Sequence, residues 1–369
     1  NQRVTLISTA TTGGGSFSAV SDGQGSFSFG DVALGGYLLR AENVALGLAG
    51  EGSGQVQSDG QEVVGDLRLQ SSSVALPYNL SDANQFVYAV QPTGTLVAPF
   101  LFQRAPELTL RREGVAYAFA GGNVGLRSAD GRQVTLTQDG LAGLSVSRRI
   151  HVPADGFAAR YVEFIANPGT EPVTIDVEVK VQPAFGNRSA YLLATSSGRA
   201  LPEAGGPDGD RWLALATGYS GQMLVGALQP YLALVWDGAD GGVHASRIVA
   251  GQSYAGDATI AWDALVVPPG GQIALLHYLA ELPTPEGATA AAQRLSLLSP
   301  EGLDGLSADE LAAVANWRLP AEGQSVLARL PSLRTRTVTG VCRSFHGQTP
   351  VAGCMVNLRT AAVVFARTT

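Results

Sequence analysis

Any chemistry in this chain would have to come from four histidines, two cysteines and the carboxylates and serines near them. No two histidines have the His-Glu-x-x-His or His-x-His spacing of a metal site, and two cysteines cannot complete a four-thiolate cage. No metal or other cofactor is therefore expected. His277 lies in an apolar run, His151 follows two arginines, His244 stands near Asp237 and Asp240, and His346 sits in a Gly-flanked turn. Gly251-Gln252-Ser253-Tyr254-Ala255 approaches a nucleophile elbow. That elbow needs a strand-to-helix turn, and the residues after Ala255 read as strand. Asp208-Gly209-Asp210 could supply calcium ligands or form a solvated turn. Dispersed carboxylates leave glycoside cleavage open as a chemistry. Yet Trp212, Trp236, Trp262 and Trp317 are widely spaced and read as core rather than as a sugar-stacking platform. No catalytic residue is assigned, and the chain is expected not to be an enzyme. Asn79-Leu80-Ser81 and Asn187-Arg188-Ser189 are glycosylation sequons by letter.

The elements that would position such residues are almost all strands. With 369 residues the chain can form two or three domains with real cores, and 45% hydrophobic against 15% charged residues excludes disorder. Forty-six glycines imply many tight turns between short strands. A net charge of −7 with dispersed basic residues leaves no nucleic-acid footprint, and no apolar run reaches membrane-span length. Basic charge is nearly all arginine, with Lys180 the sole lysine.

Residues 1–70 alternate strand and turn. Ser16–Val20 has period two, Ser21-Asp22-Gly23 turns, and Ser26-Phe27-Ser28-Phe29 alternates again, placing both rings on one face before the strand Tyr37–Ala41. Residues 76–285 read as a large antiparallel sandwich of a dozen or more strands, with turns at Asp130-Gly131 and Asp139-Gly140. The clearest hairpin pairs Ala159–Ile165 with Val173–Val181 across Asn167-Pro168-Gly169. In its second strand Val173, Ile175, Val177, Val179 and Val181 face inward. Pro268-Pro269-Gly270-Gly271 reads as the turn of a second such unit. Residues 286–332 form a short helical spacer: Ala288–Leu298 lacks Gly and Pro, Ser307 and Glu310 make a capping box, and Leu311, Val314 and Ala315 form one stripe.

The head motif Asp22-x-x-Gly25-x-Phe27-x-Phe29, followed by Gly35-Gly36-Tyr37, resembles the carboxypeptidase regulatory-like (transthyretin-like) β-sandwich. Residues 337–369 resemble the opening of another such sandwich, and 1–70 its closing part. This implies a spacer or accessory module. Asn79–Asn84, Arg149–Pro153, Ile165–Gly169 and Val267–Gly271 resemble a large sandwich of repetitive bacterial surface proteins. The fold class expected is all-β. A tail carrying opening strands and a head lacking them predict head-to-tail strand exchange between copies, through Val338, Val341, Val351, Val356 and Leu358 against Phe27, Phe29 and Tyr37. Cys342 and Cys354, equidistant from Gln348, would face each other in a terminal hairpin and form a disulfide suited to an extracellular or cell-surface location. The expected function is thus an extracellular filament or array subunit, with two alternatives. These are a carbohydrate-binding or adhesive module, and one period of a tandem-repeat surface protein; a sugar-active enzyme ranks below them.

Overall fold

The computed structural model describes residues 3–8, 15–43, 48–98, 102–128, 130–182, 188–219, 222–223, 231–238, 240–250, 257–306, 308–318, 325–330, 341, 343, 349–350, 355–359 and 364–368. It is an all-β protein with a short helical segment. The head contributes β1 (Arg3–Ser8), β2 (Ser16–Val20), β3 (Gly35–Asn43), β4 (Leu48–Val56) and β5 (Gln70–Ser71). These form one antiparallel sheet in the order β2-β1-β3-β4-β5.

The large sandwich comes next in the chain. Its strands are β6 (Ser73–Ala75), β7 (Tyr78–Ser81), β8 (Val87–Val90), β9 (Leu96–Ala98), β10 (Phe102–Arg112), β11 (Val115–Ala118), β12 (Val124–Arg127), β13 (Gln133–Leu141) and β14 (Leu144–His151). The chain then continues through β15 (Ala159–Ala166), β16 (Val173–Gln182), β17 (Arg188–Thr195), β18 (Trp212–Tyr219), β19 (Gln222–Met223), β20 (Tyr231–Val235), β21 (Arg247–Ala250), β22 (Ala258–Val267) and β23 (Gln272–Leu282). An eight-stranded sheet runs β21-β22-β16-β10-β9-β8-β7, with β11 beside β10. A ten-stranded sheet runs β17-β18-β20-β23-β15-β14-β13-β12-β6, with β19 beside β18. Helices α1 (Pro285–Ser296), α2 (Pro300–Leu303) and α3 (Ala308–Ala313) cover the outer face of the ten-stranded sheet, and β24 (Met355–Arg359) pairs with β25 (Val364–Thr368).

Two hydrophobic layers result. One lies between the sheets, around Tyr88, Leu110, Val177 and Trp262; the other lies between the ten-stranded sheet and the helices, around Val162, Leu276, Ala288 and Leu311. Strands β15 and β23 are buried on both faces and so read as continuous apolar runs rather than alternating ones. That explains a correction. The pair expected as a hairpin is an arch between sheets: β15 pairs with β14 and β23, whereas β16 pairs with β10 and β22. The Pro268–Gly271 turn is a second arch, and the two are tied together by Asn167 N–H to Gly271 O and Gly270 N–H to Gly169 O. The inward valines of β16 hold, with Val177 fully buried. The turn expected at Asp139-Gly140 falls instead at Ala142-Gly143, both at positive φ.

No strand forms at Ser26–Phe29. The Asp22 carboxylate accepts the N–H groups of Gln24 and Ser26, and the loop lays Phe27 and Phe29 edge-to-face at 5.9 Å over the head sheet. In β4, Gly50, Gly52 and Gly54 alternate on one face. A Cβ at Gly50 would come within 2.5 Å of the Arg68 carbonyl, and one at Gly54 would collide with the Tyr37 ring. The glycine stripe therefore lets Tyr37, Leu67 and Leu69 close the head's core from within.

Candidate functional site

Adjacent strands β14, β15 and β23 carry two buried polar sets, one on each face of the ten-stranded sheet. On the inner face, register pairs Arg148 with Glu163 and Tyr161 with His277. Arg148 Nε donates to both Glu163 oxygens at 3.1 Å and its Nη2 reaches Oε1 at 2.9 Å. His277 Nε2 lies 3.0 Å from the same oxygen, its ring stacked on Tyr161 with centroids 5.0 Å apart. The Arg148 guanidinium lies 4.9 Å from the Tyr161 ring centre, and the Tyr161 hydroxyl donates to Gly94 O.

Burial works against the Glu163 charge, but Arg148 and the His277 hydrogen bond outweigh it and hold the carboxyl below its usual range. Burial lowers the His277 pKa despite Glu163, so the neutral ring carries its proton on Nε2 and donates it. These groups resemble acid–base machinery, yet Arg148 and Glu163 are fully buried. The void beside His277 is about 10 Å³, too small to admit a substrate. Nearby, Asp82, Tyr88 and Glu281 bridge the two sheets. Tyr88 OH donates to Asp82 and accepts the Glu281 N–H. Burial raises Asp82 to about 7 and Glu281 well above the carboxylate range.

On the outer face, register sets Gln133, His151, Arg160 and Tyr278 in one cross-strand row. Arg160, 1% exposed, donates from Nη1 to Gly302 O at 3.0 Å and Asp304 O at 2.6 Å, and from Nη2 to Gln133 Oε1 at 3.5 Å. Its Nε has no partner. Burial lowers its pKa to about 10, which leaves it charged at neutral pH. Above it, Pro300 opens α2, as proline favours, and Ser299 occupies the cap position without bonding the helix. The Ser299 hydroxyl and Glu301 Oε2 are buried and unpartnered, while Glu301 Oε1 accepts Arg294 Nη2 at 2.6 Å. These residues line a pocket of about 30 Å³ between α1, α2 and β15, closed otherwise by apolar surface including Phe157, Tyr278 and Leu330. Gly156 shapes its wall, since a Cβ there would meet Pro153 Cγ at 2.5 Å.

The residues singled out in the sequence fare differently. All four tryptophans are buried, as expected of core. The Asp210 carboxylate accepts Ser196 Oγ, Ser197 N–H and Glu203 N–H and pins its loop. Among the described residues no cluster of three or more His, Cys, Asp or Glu could hold a metal, and no helix is long and apolar enough to cross a membrane. Asn79 is exposed on β7; Ser253, Asn187 and His346 lie outside the described residues.

Of the expected assembly set, Cys342, Cys354, Val338 and Val351 also lie outside them. Val341 is exposed, and Val356 and Leu358 sit in β24. Near the cysteines, Arg343 bridges antiparallel to Pro350. Tyr37 is buried in the head's own core, and Phe27 and Phe29, half-buried, pack against that core. Ser307 of the capping box is outside the described residues, and the Glu310 carboxylate accepts Arg149. Arg148, Arg160, Glu163, Ser299 and Glu301 were missed. A usable signal existed in Ala159–Ile165, where Arg160 and Glu163 occupy opposite faces of a run apolar enough to be buried on both.

No family model matches the chain, and no curated protein matches it. Among solved structures it is similar to a polysaccharide lyase, at 14% identity and a TM-score of 0.31 over 63% of this chain. The chain spans 32% of that lyase's length. It is also similar to proteins assigned as aldose 1-epimerases from Escherichia coli K12 and Klebsiella pneumoniae. The first has 11% identity and a TM-score of 0.33, covering 57% of this chain and 99% of that one. The second has 11% identity and a TM-score of 0.34, covering 87% and 95%. The expectation that the chain is not an enzyme is corrected here, because the proteins it resembles are named for sugar chemistry. Likeness at these scores assigns no particular activity to this chain.

Proposed function

We propose that the chain is a carbohydrate-binding β-sandwich protein whose site is the pocket beneath α2. The observation that carries this is the pocket of about 30 Å³ between α1, α2 and β15, whose surface is almost wholly apolar and which Arg160, Ser299 and Glu301 help to line. Apolar and aromatic surface suits the C–H face of a sugar ring, whose hydroxyls would be left towards the pocket mouth. The volume of about 30 Å³ accommodates about two water-sized groups, so only the tip of a glycan enters and the rest lies outside. Head-to-tail pairing of copies is not part of this proposal.

Calorimetric titration of the full chain against neutral and acidic oligosaccharides tests the proposal. A member of the panel should bind, and Glu301→Gln should weaken it at least tenfold while leaving the fold intact by circular dichroism. A panel without any binder, or binding indifferent to Glu301→Gln, overturns it.

A further inference from the structure

Resting on that reading, we infer that residues 325–330 form a releasable strap that closes the pocket beneath α2 and lifts to admit a sugar ring. The strap is tied to each of the pocket's walls. Leu330, half-buried, lines the pocket together with Phe157 and Tyr278. Arg329 Nη1 lies 2.8 Å from Asp155, in the loop that carries Gly156 and Phe157, and its Nη2 lies 2.6 Å from Asp304, which follows α2. Arg294 of α1 donates to Ala328 O at 2.8 Å from the same Nη2 that holds Glu301.

These ties are peripheral. Among the described residues no backbone–backbone hydrogen bond joins 325–330 to the sandwich or to the helices. The side chains of the Arg329 pairs are 28–45% exposed, where ion pairs hold weakly and salt screens them. A segment with so few backbone bonds belongs to the part of a fold that opens locally, without global unfolding. The floor under it is built independently, since Phe157, Tyr278 and Leu295 belong to the layer between the helices and the ten-stranded sheet. With Leu330 in place the pocket holds about 30 Å³, against roughly 300–1,000 Å³ for sites that enclose a small molecule. Lifting the strap widens the pocket and leaves its apolar floor standing. A closed form reduces apparent affinity by the fraction of molecules that are open, so loosening the latch tightens binding.

The test uses the full chain carrying Asp155→Asn and Asp304→Asn, which removes both latch carboxylates and leaves every pocket-lining side chain unchanged. Trypsin reads the strap, because Arg329 is itself a cleavage site, and Nile red, a neutral dye, reads uncovered apolar surface. The variant should be cut after Arg329 several-fold faster than wild type, with no faster cleavage within the sandwich, and should take up more dye. Raising salt should move wild type towards the variant and leave the variant unchanged. An oligosaccharide that binds wild type should bind the variant several-fold tighter. Cleavage and dye uptake equal to wild type, or weaker oligosaccharide binding by the variant, overturn the strap. Faster cleavage and greater dye uptake, with no oligosaccharide bound by either form, uphold the strap and remove the carbohydrate reading.

Discussion

Arg148 and Arg160 sit on neighbouring strands of one sheet, both essentially removed from solvent, and face opposite ways. Arg148 meets a carboxylate, a neutral imidazole and two aromatic rings. Arg160 meets carbonyls, an amide oxygen and a pocket. Burying a charge costs several kcal/mol unless a partner offsets it. The inner site supplies its partner from the chain itself, and that completeness marks it as structural. On the outer face Arg160 bonds only neutral oxygens, and Asp304 and Glu310 offset its charge from a greater distance. A sealed, satisfied acid–base set is thus a poorer functional candidate than residues that line a pocket, although the former looks more like catalysis.

Removing one partner of the inner set should give the largest effect. Glu163→Ala leaves Arg148 buried without an anion and His277 without an acceptor, and should cost about 3–5 kcal/mol in urea unfolding. Arg160→Met on the outer face strands only neutral acceptors, Gly302 O and Asp304 O among them, and should cost about 1–3 kcal/mol. Equal losses would erase the distinction between the faces.

Asp82 sharpens the comparison through pH, because it is an inner carboxyl that burial keeps protonated. Its folded pKa is raised to about 7 against an unfolded value of about 3.9. Between those values the folded state holds a proton that the unfolded state has lost. Stability from this group is therefore full below pH 4 and falls as pH rises towards 7. Tyr88 and Glu281 face it, and Glu281, also raised, acts with the same sign. Buried His151 and His277, both lowered, act oppositely by losing stability as pH drops below about 6.5. Asp82→Asn isolates the carboxyl, since the amide oxygen keeps an acceptor for Phe86 N–H while the titratable proton is removed. The stability of the variant relative to wild type should rise by about 2–4 kcal/mol between pH 4 and 7 and then level off. A difference independent of pH would show that Asp82 is ionised when folded.

How much of the molecule was legible depends on the kind of constraint each signal encodes. Period-two alternation in Val173–Val181 assigned its buried face correctly because one side of β16 meets the core and the other meets water. The same logic failed on partner choice. A turn between two strands does not say whether they pair or cross between sheets, and only the doubly buried character of β15 separates the cases. Head glycines at alternate positions of β4 were visible as composition, but their role depends on Tyr37 and Arg68 lying across them. The pocket was not legible at all. Arg160 is about 140 residues from Ser299 and Glu301 along the arch-connected sandwich, and the site is defined by a missing bond, which no local pattern records.

Ser299 should give the smallest stability effect and the most diagnostic sign. Its hydroxyl is 1% exposed at the residue level, has no partner, and does not cap α2 although it stands at the cap position. An ordinary N-cap serine replaced by alanine loses about 1 kcal/mol, because a helix N–H is orphaned. Here there is no such bond to lose, and the substitution removes an unsatisfied buried group whose desolvation was never offset. Ser299→Ala should therefore leave the unliganded chain unchanged or more stable by up to about 1 kcal/mol in chemical denaturation. The Arg148 set offers no equivalent, since Arg148, Glu163 and Tyr161 each bond to groups that would be left stranded. A gain in stability joined to a loss of glycan affinity is the combination expected of a residue held out of its own fold for a ligand. A loss of about 1 kcal/mol would instead mean that the hydroxyl is already bonded within the protein and that the pocket is part of the core.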